Sequence, residues 1–310
     1  MALVSYRRKL ILAKEEVTYG TDPTPTAGAN GVLTMNLTLN LTAEDLEREL
    51  DLPYLAANPS VLVGRMAVIE FDFEPLGQAT PGTAAPCDAI MKACAHALVT
   101  DAGPPATATY NPISAAPKSA TIWFYMGDQR VAIVGCRGTI SITNEIKKFP
   151  IAHARLVGQF AIPTSTPIVT PTLTAWQDPP AIEMETWDVE IDGVTVNAVS
   201  LSMEQRNEVP MHEGSDLREV VLTRRNSGGR IRIYDPGVSV LDVWTMAADR
   251  ARVGITSTVD GGVGKTCTID MPAAQISLPQ WVEIDGAIGL EFDYRALATT
   301  GNDEYTVELR

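Results

Sequence analysis

The chain has 310 residues, 45% of them apolar and 20% charged, with a formal net charge of −14. That length and apolar content suit a globular chain of about two ordinary domains, each with its own core. The acid excess argues against a protein that grips nucleic acid through its phosphates, which takes a surplus of Lys and Arg.

Residues 1–30 precede every landmark that recurs later, and they end in a turn-rich run, TYGTDPTPTAGANG. Arg7, Arg8 and Lys9 lead into Leu10, Ile11, Leu12 and Ala13. This apolar run is too short for a signal-peptide core, and no stretch approaches the roughly 20 apolar residues of a membrane span. The chain is expected to fold in a cytosol. The segment reads as an arm seeking a surface to lie on, with a strand or helical turn on its own domain as the equal alternative.

Alternation in VLTMNLTLNLT (residues 32–42) predicts a strand. In the next stretch Glu47, Glu49 and Asp51 alternate with Arg48, Leu50 and Leu52, which suits a strand with one acidic face; a Thr42/Asp45 capping pattern leaves a helix as the other reading. Residues 54–64 read as a long loop, and residues 66–73 as a strand carrying Glu70 and Asp72, with Glu74 following, on one face. After a Gly/Pro/Thr loop, residues 87–97 (CDAIMKACAHA) form a predicted helix with Ile90, Met91 and Cys94 facing the core. His96, among alanines at its end, reads as a partly exposed surface histidine. Four further strands are predicted at 121–127, 130–135, 139–143 and 154–162.

Residues 163–180 hold five prolines and five threonines, a composition that favours extended, semi-rigid chain. Residues 181–310 repeat the landmarks of residues 31–162 in the same order. Gly193-Val194 opens an alternating run, as Gly31-Val32 does, with a phase slip before Val199 that suggests a bulge. Gly229 to Ile233 answers Gly64 to Ile69. Helix 241–251 answers helix 87–97, and residues 274–297 answer 138–162. The chain is therefore mainly β with one helix per repeat, divided into an arm (1–30), a first domain (31–162), a linker (163–180) and a second domain (181–310). The first 162 residues carry 15 acids and 13 bases, and residues 181–310 carry 22 acids and 11 bases, so the second copy holds most of the negative charge.

Motifs of chemistry are thin. Gly261 to Thr266 (GGVGKT) lacks the leading glycine of a phosphate-binding loop and is followed by strand-like alternation, so a hairpin turn is expected there. Cys87, Cys94, Cys136 and Cys267 have no metal-ligand spacing and read as packed thiols. The three histidines stand in unrelated contexts, and no nucleophile motif accompanies them. Neither an enzyme, a cofactor nor a metal is expected.

The segments LVSYRRKLILAKEEVTYGTDPTPTAGAN, VLTMNLTLNLT and MAVIEFDFEPLG, the last leading through a loop to CDAIMKACAHAL, resemble the major tail tube proteins of long-tailed bacteriophages. The duplication extends the likeness to the variant with two tandem tube domains. That resemblance implies β-sandwich or partial-barrel domains and homotrimeric rings of pseudo-sixfold symmetry, stacked head to tail. It also implies tape measure and tail-end proteins as partners, and a channel that duplex DNA crosses without tight binding. Arg7, Arg8, Lys9, Leu10 and Leu12 become the expected inter-ring arm. The expected lumen acids are Glu47, Glu49, Asp51, Glu70, Asp72, Glu283, Asp285, Glu291 and Asp293, although alternation sets the period and not the side. A distal tail or head protein, a carbohydrate-binding or adhesin-like β module, and a hydrolase are the other readings.

Overall fold

The computed structural model describes residues 5–51 and 53–310. Among the described residues the first half-chain holds ten strands and a helix: β1 (Lys9–Glu15), β2 (Gly31–Val32), β3 (Met35–Glu47), β4 (Ser60–Phe73), α1 (Asp88–Ala93), β5 (His96–Asp101), β6 (Thr107–Pro112), β7 (Ala120–Met126), β8 (Gln129–Glu145), β9 (Ile151–Phe160) and β10 (Thr164–Ser165). The second holds β11 (Trp187–Ile191), β12 (Val194–Thr195), β13 (Ala198–Glu204), β14 (Met211–Glu213), β15 (Arg218–Val220), β16 (Gly228–Tyr234), α2 (Val243–Ala248), β17 (Val253–Asp260), β18 (Thr266–Ile276), β19 (Gln280–Ile284), β20 (Ala287–Ala296) and β21 (Thr306–Leu309). The mainly β architecture with one short helix per half follows the sequence.

Strand pairing repeats. In the first half the antiparallel order is β2-β1-β7-β8-β9-β4-β3, and in the second it is β12-β11-β17-β18-β20-β16-β13. Strands β8 and β18 each serve two layers, passing from one to the other through register shifts near Cys136 and Ala274, which is how a sandwich turns its corners. Among the described residues two strand pairings join the halves. Residues 141–145 of β8 pair with β13, and β6 pairs with β21. One apolar cluster runs through both halves, from Ile11, Phe71 and Phe73 to Ile231, Phe292 and Tyr305. The bulge expected in the second copy lies between Ala198 and Ser200.

Several expectations need correction. Lys9 to Glu15 do not form an arm: β1 pairs along its whole length with β7 and buries Ile11 and Ala13 in the core. The reason is two-sided apolarity, because Leu10 and Leu12 on the opposite side pack with Tyr125 beneath Ile168 and Val169 of the linker. The same contact, with Thr172 N donating to Ala27 O and Trp176 edge-on to Phe73, lays residues 163–180 along the first domain. Helix α1 stops at Ala93 because the next turn would need Ala95 to stay right-handed, whereas its φ is 58°. Strand β4 begins six residues earlier than residue 66, so residues 60–64 are strand and not loop. Of the acidic alternation, Glu47 ends β3, while Glu49 and Asp51 lie in the connection beyond it.

His96 is also not a surface residue. It is buried at the start of β5, with Nδ1 2.9 Å from Met91 O and Nε2 2.8 Å from Tyr305 Oη. Burial dominates its protonation, pulling its pKa down from 6.5 to about 4.

A continuous polar face across both halves

Because directly opposed residues on neighbouring strands point to the same side, the pairings trace rows across the sheet. One row reads Glu145, Ser200, Arg232, Glu291, and the next Thr143, Ser202, Arg230, Asp293. A third runs Asp72, His153, Ser141, Glu204. These rows pass from the first half into the second without a break. Between them lie residues of opposite orientation, such as Phe71, Ala154, Ile140, Met203 and Ile231, all buried. The sheet β3-β4-β9-β8-β13-β16-β20 thus has one apolar side against the core and one polar side open to solvent except at the row Val68, Val157, Arg137, which Val209 and Val220 cover, and β18 followed by β19 forms its far edge on β20.

The charge on the open side is balanced locally. Arg155 Nε donates to Glu70 Oε1 at 3.1 Å, and His153 Nδ1 lies 2.7 Å from Asp72 Oδ1. Arg230 reaches Asp293 Oδ1 at 2.8 Å and Glu291 Oε1 at 3.3 Å, and Arg206 reaches Glu204 Oε2 at 2.8 Å. Hydrogen bonding to Asp293 is the main cause that raises the pKa of Arg230. On β4, β9, β8, β13, β16 and β20, Glu70, Asp72, Glu145, Glu204, Glu291 and Asp293 face Arg155, Arg230, Arg232 and Arg295. Arg206 and Lys148 from the adjoining turns pair with Glu204 and Glu145, so acids and bases on this side are close to balance.

Of the nine expected lumen acids, Glu70, Asp72, Glu291 and Asp293 therefore come together on one face. Glu47, Glu49 and Asp51 sit instead around the end of the β3–β4 hairpin, which extends beyond the stretch of β4 paired with β9. Glu283 is exposed on β19, and Asp285 stands in the β19–β20 turn with φ 48°. The arginines, and the Ser and Thr residues between them, were missed. Their signal was legible in AVSLSME (198–204) and GGRIRIY (228–234), where polar and apolar residues alternate with period two.

Two other surfaces stand out. The hairpin extension and its connection expose Leu46, Leu50, Tyr54, Leu55, Val61, Leu62 and Val63, more clustered apolar area than a solitary soluble surface carries. Of the expected arm, Arg7 and Arg8 are exposed, while Lys9 is committed to Leu37 O at 3.1 Å and to the Tyr6 ring at 3.6 Å.

Residues 261–265 form the β17–β18 turn, and Thr266 opens β18. Asp260 Oδ1 accepts from Gly262 N at 2.9 Å and Thr266 Oγ1 at 2.6 Å, holding that carboxyl below the usual carboxylate range. A carboxylate thus occupies the position where a phosphate would need donors. All four cysteines are free and buried, and burial pushes the Cys267 thiol up to about 12. Among the described residues no three His, Cys, Asp or Glu side chains meet as a metal site.

A family model described as phage tail tube protein matches residues 7–296. No curated protein matches the chain.

Proposed function

Because the chain belongs to the phage tail tube protein family and is a structural component of the virion tail, we propose that three copies close a ring and that rings stack head to tail around a DNA channel. The observation that carries this reading is the unbroken polar face. Its eight strands per chain, counting β18 and β19 as one edge, draw equally on two halves with the same pairing order. Three chains supply 24 strands. At about 4.8 Å between strands and a tilt near 40°, a barrel of that size is roughly 45–50 Å across between backbones, leaving about 35–40 Å once side chains fill about 5 Å on each side. A hydrated duplex passes with clearance.

The two half-chains act as two tube domains, which makes the ring pseudo-sixfold, and the polar face is its lumen. DNA carries about one charge per 1.7 Å of axis, so free Lys and Arg on the wall would create a salt-dependent grip at every ring. Here the wall guanidiniums Arg155 and Arg230 are taken up by carboxylates and Arg232 by the Glu283 carbonyl. DNA slides past such a wall. The exposed apolar hairpin and the Arg7/Arg8 pair are the surfaces we assign to contacts between stacked rings, where tape measure and tail-end proteins also bind. Assembly takes place in the host cytoplasm. The protein acts as a scaffold and not as an enzyme.

Negative-stain electron microscopy of the purified protein tests the reading. Tubes or rings with a stain-filled centre are expected, and a protein that stays monomeric at every concentration overturns it.

A further inference from the structure

We infer that neighbouring copies are sewn together by antiparallel pairing between β3 of one chain and the outer edge of residues 277–281 of the next, in a register fixed by the junction the chain makes with itself. The inference rests on the proposed ring.

The continuous sheet has two edges. Among the described residues β3 pairs with β4 alone, and β19 with β20 alone. An open strand edge is a template for another strand unless it is blocked, and here both edges expose large apolar side chains: Leu33 and Met35 beside β3, Leu278 and Trp281 at the other. Trp281 is set in place by Trp244 of α2, ring centroids 4.5 Å apart.

The partner and the register come from the repeated pairing. On β8, the side that binds β7 at its start binds β13 at its end, residues 141–145 meeting residues 200–204. On β18 the corresponding side binds β17, and the next stretch of chain is unpaired on that side. The equivalence can be walked strand by strand. Ile140 faces Ala154, which faces Phe71, and one residue on, Glu70 faces Thr38. Ile276 faces Tyr294, which faces Gly229, and one residue on, Gly228 faces Glu204. Ser141 therefore corresponds to Ser277, and Glu204 to Thr38. Since Glu204 faces Ser141 within the chain, Thr38 of one copy faces Ser277 of the next. By the same walk Ser202 opposite Thr143 corresponds to Met35 opposite Gln280, because Thr143 faces Ile151 and the residue equivalent to Ile151, Glu291, faces Gln280. The bulge residue Leu37 gives its carbonyl to Lys9 and lies between the two paired positions.

Such a contact is heterologous, using different patches on the two copies. It closes a ring when the rotation it repeats divides a full turn. The internal junction would then be its counterpart halfway round each subunit.

Paired cysteines test it. Directly opposed residues lie within about 5.5 Å between Cα atoms, inside the disulfide range. Assembled Thr38→Cys/Ser277→Cys and Met35→Cys/Gln280→Cys proteins, oxidised and run on denaturing gels, should convert most monomer to dimers and trimers with nothing larger. Variants with only one of the two added cysteines should stay monomeric on the gel, the four native cysteines being buried. Ser202→Cys/Thr143→Cys should cross-link within one chain, showing that opposed positions of this sheet oxidise. A further variant, Met35→Asp, should keep the monomer's thermal midpoint within about 2 °C and lose rings by microscopy. Tubes that form while neither designed pair cross-links overturn the seam and leave the tube reading standing. A wild-type protein that never assembles overturns both.

Discussion

Replacing Glu16 by alanine removes the acceptor that ties the first strand into the fold. The Glu16 side chain is buried with no ion pair among the described residues, and its two oxygens accept four hydrogen bonds: Gly20 N at 2.8 Å and Ser119 Oγ at 2.6 Å on Oε2, Thr121 Oγ1 at 2.6 Å and Gly135 N at 2.7 Å on Oε1. The bonds join the end of β1 to the turn after it, to β7 and to the corner of β8. Each buried donor left without a partner costs about 1–3 kcal/mol, and the two hydroxyls can rotate to find other acceptors while the two backbone N–H groups cannot. The loss should therefore be about 4 kcal/mol, lowering the midpoint of thermal unfolding by about 6 °C. Glu16→Gln keeps the shape but turns an NH2 group towards two of the donors, and should cost about 2 kcal/mol. Urea unfolding followed by tryptophan fluorescence measures both. A loss under about 1 kcal/mol for Glu16→Ala would refute the reasoning and return residues 9–16 to the status of a loosely held arm.

Four further outcomes are expected from the same structure. Deleting residues 2–16 should give insoluble or unfolded protein, whereas deleting residues 2–8 should leave the monomer's unfolding midpoint unchanged and shorten the tubes, as microscopy and thermal scans would show; normal tubes from the shorter deletion remove Arg7 and Arg8 from ring stacking. His96 is held near pKa 4 when folded against about 6.5 unfolded, so the folded state binds fewer protons, and His96 contributes stability above pH 6.5 that is lost as pH falls towards 4, about 3 kcal/mol in all. The difference between wild type and His96→Gln in urea midpoints across that window should narrow accordingly, and parallel curves would contradict it. Lys265→Ala should leave assembly intact, and wild-type protein should show no saturable ATP binding by calorimetry. Trp176→Ala, which removes the Phe73 contact and the bond from Nε1 to Gly31 O at 3.1 Å, should cost about 2 kcal/mol and expose residues 163–180 to limited proteolysis.

Period-two alternation made most strands readable, including the β13 bulge, because one face of each is buried and the other wet. The repeat was visible because GTISIT and AQISLP occupy equivalent places on β8 and β18. Judgements that depend on long-range partners failed. The β1 segment looks like an arm until the linker residues Ile168 and Val169 are known to cover its second apolar side. His96 looks like the end of a helix because alanines favour helix, yet Tyr305, 209 residues away, claims its ring. Alternation gave the period of Glu70, Asp72, Glu291 and Asp293 but could not say that these four, and not the other acids, share one open side of the sheet. It also gave no hint that Arg155 and Arg230 would neutralise them, since cross-strand pairs join residues far apart in sequence.

The most direct test of the central claim is a helical reconstruction of the assembled tube. The account predicts three chains and 24 lumen strands per ring, with Glu70, Asp72, Arg155, Arg230 and Asp293 on the channel wall. Six chains per ring, or a channel lined by the face that here packs on the core, would contradict it.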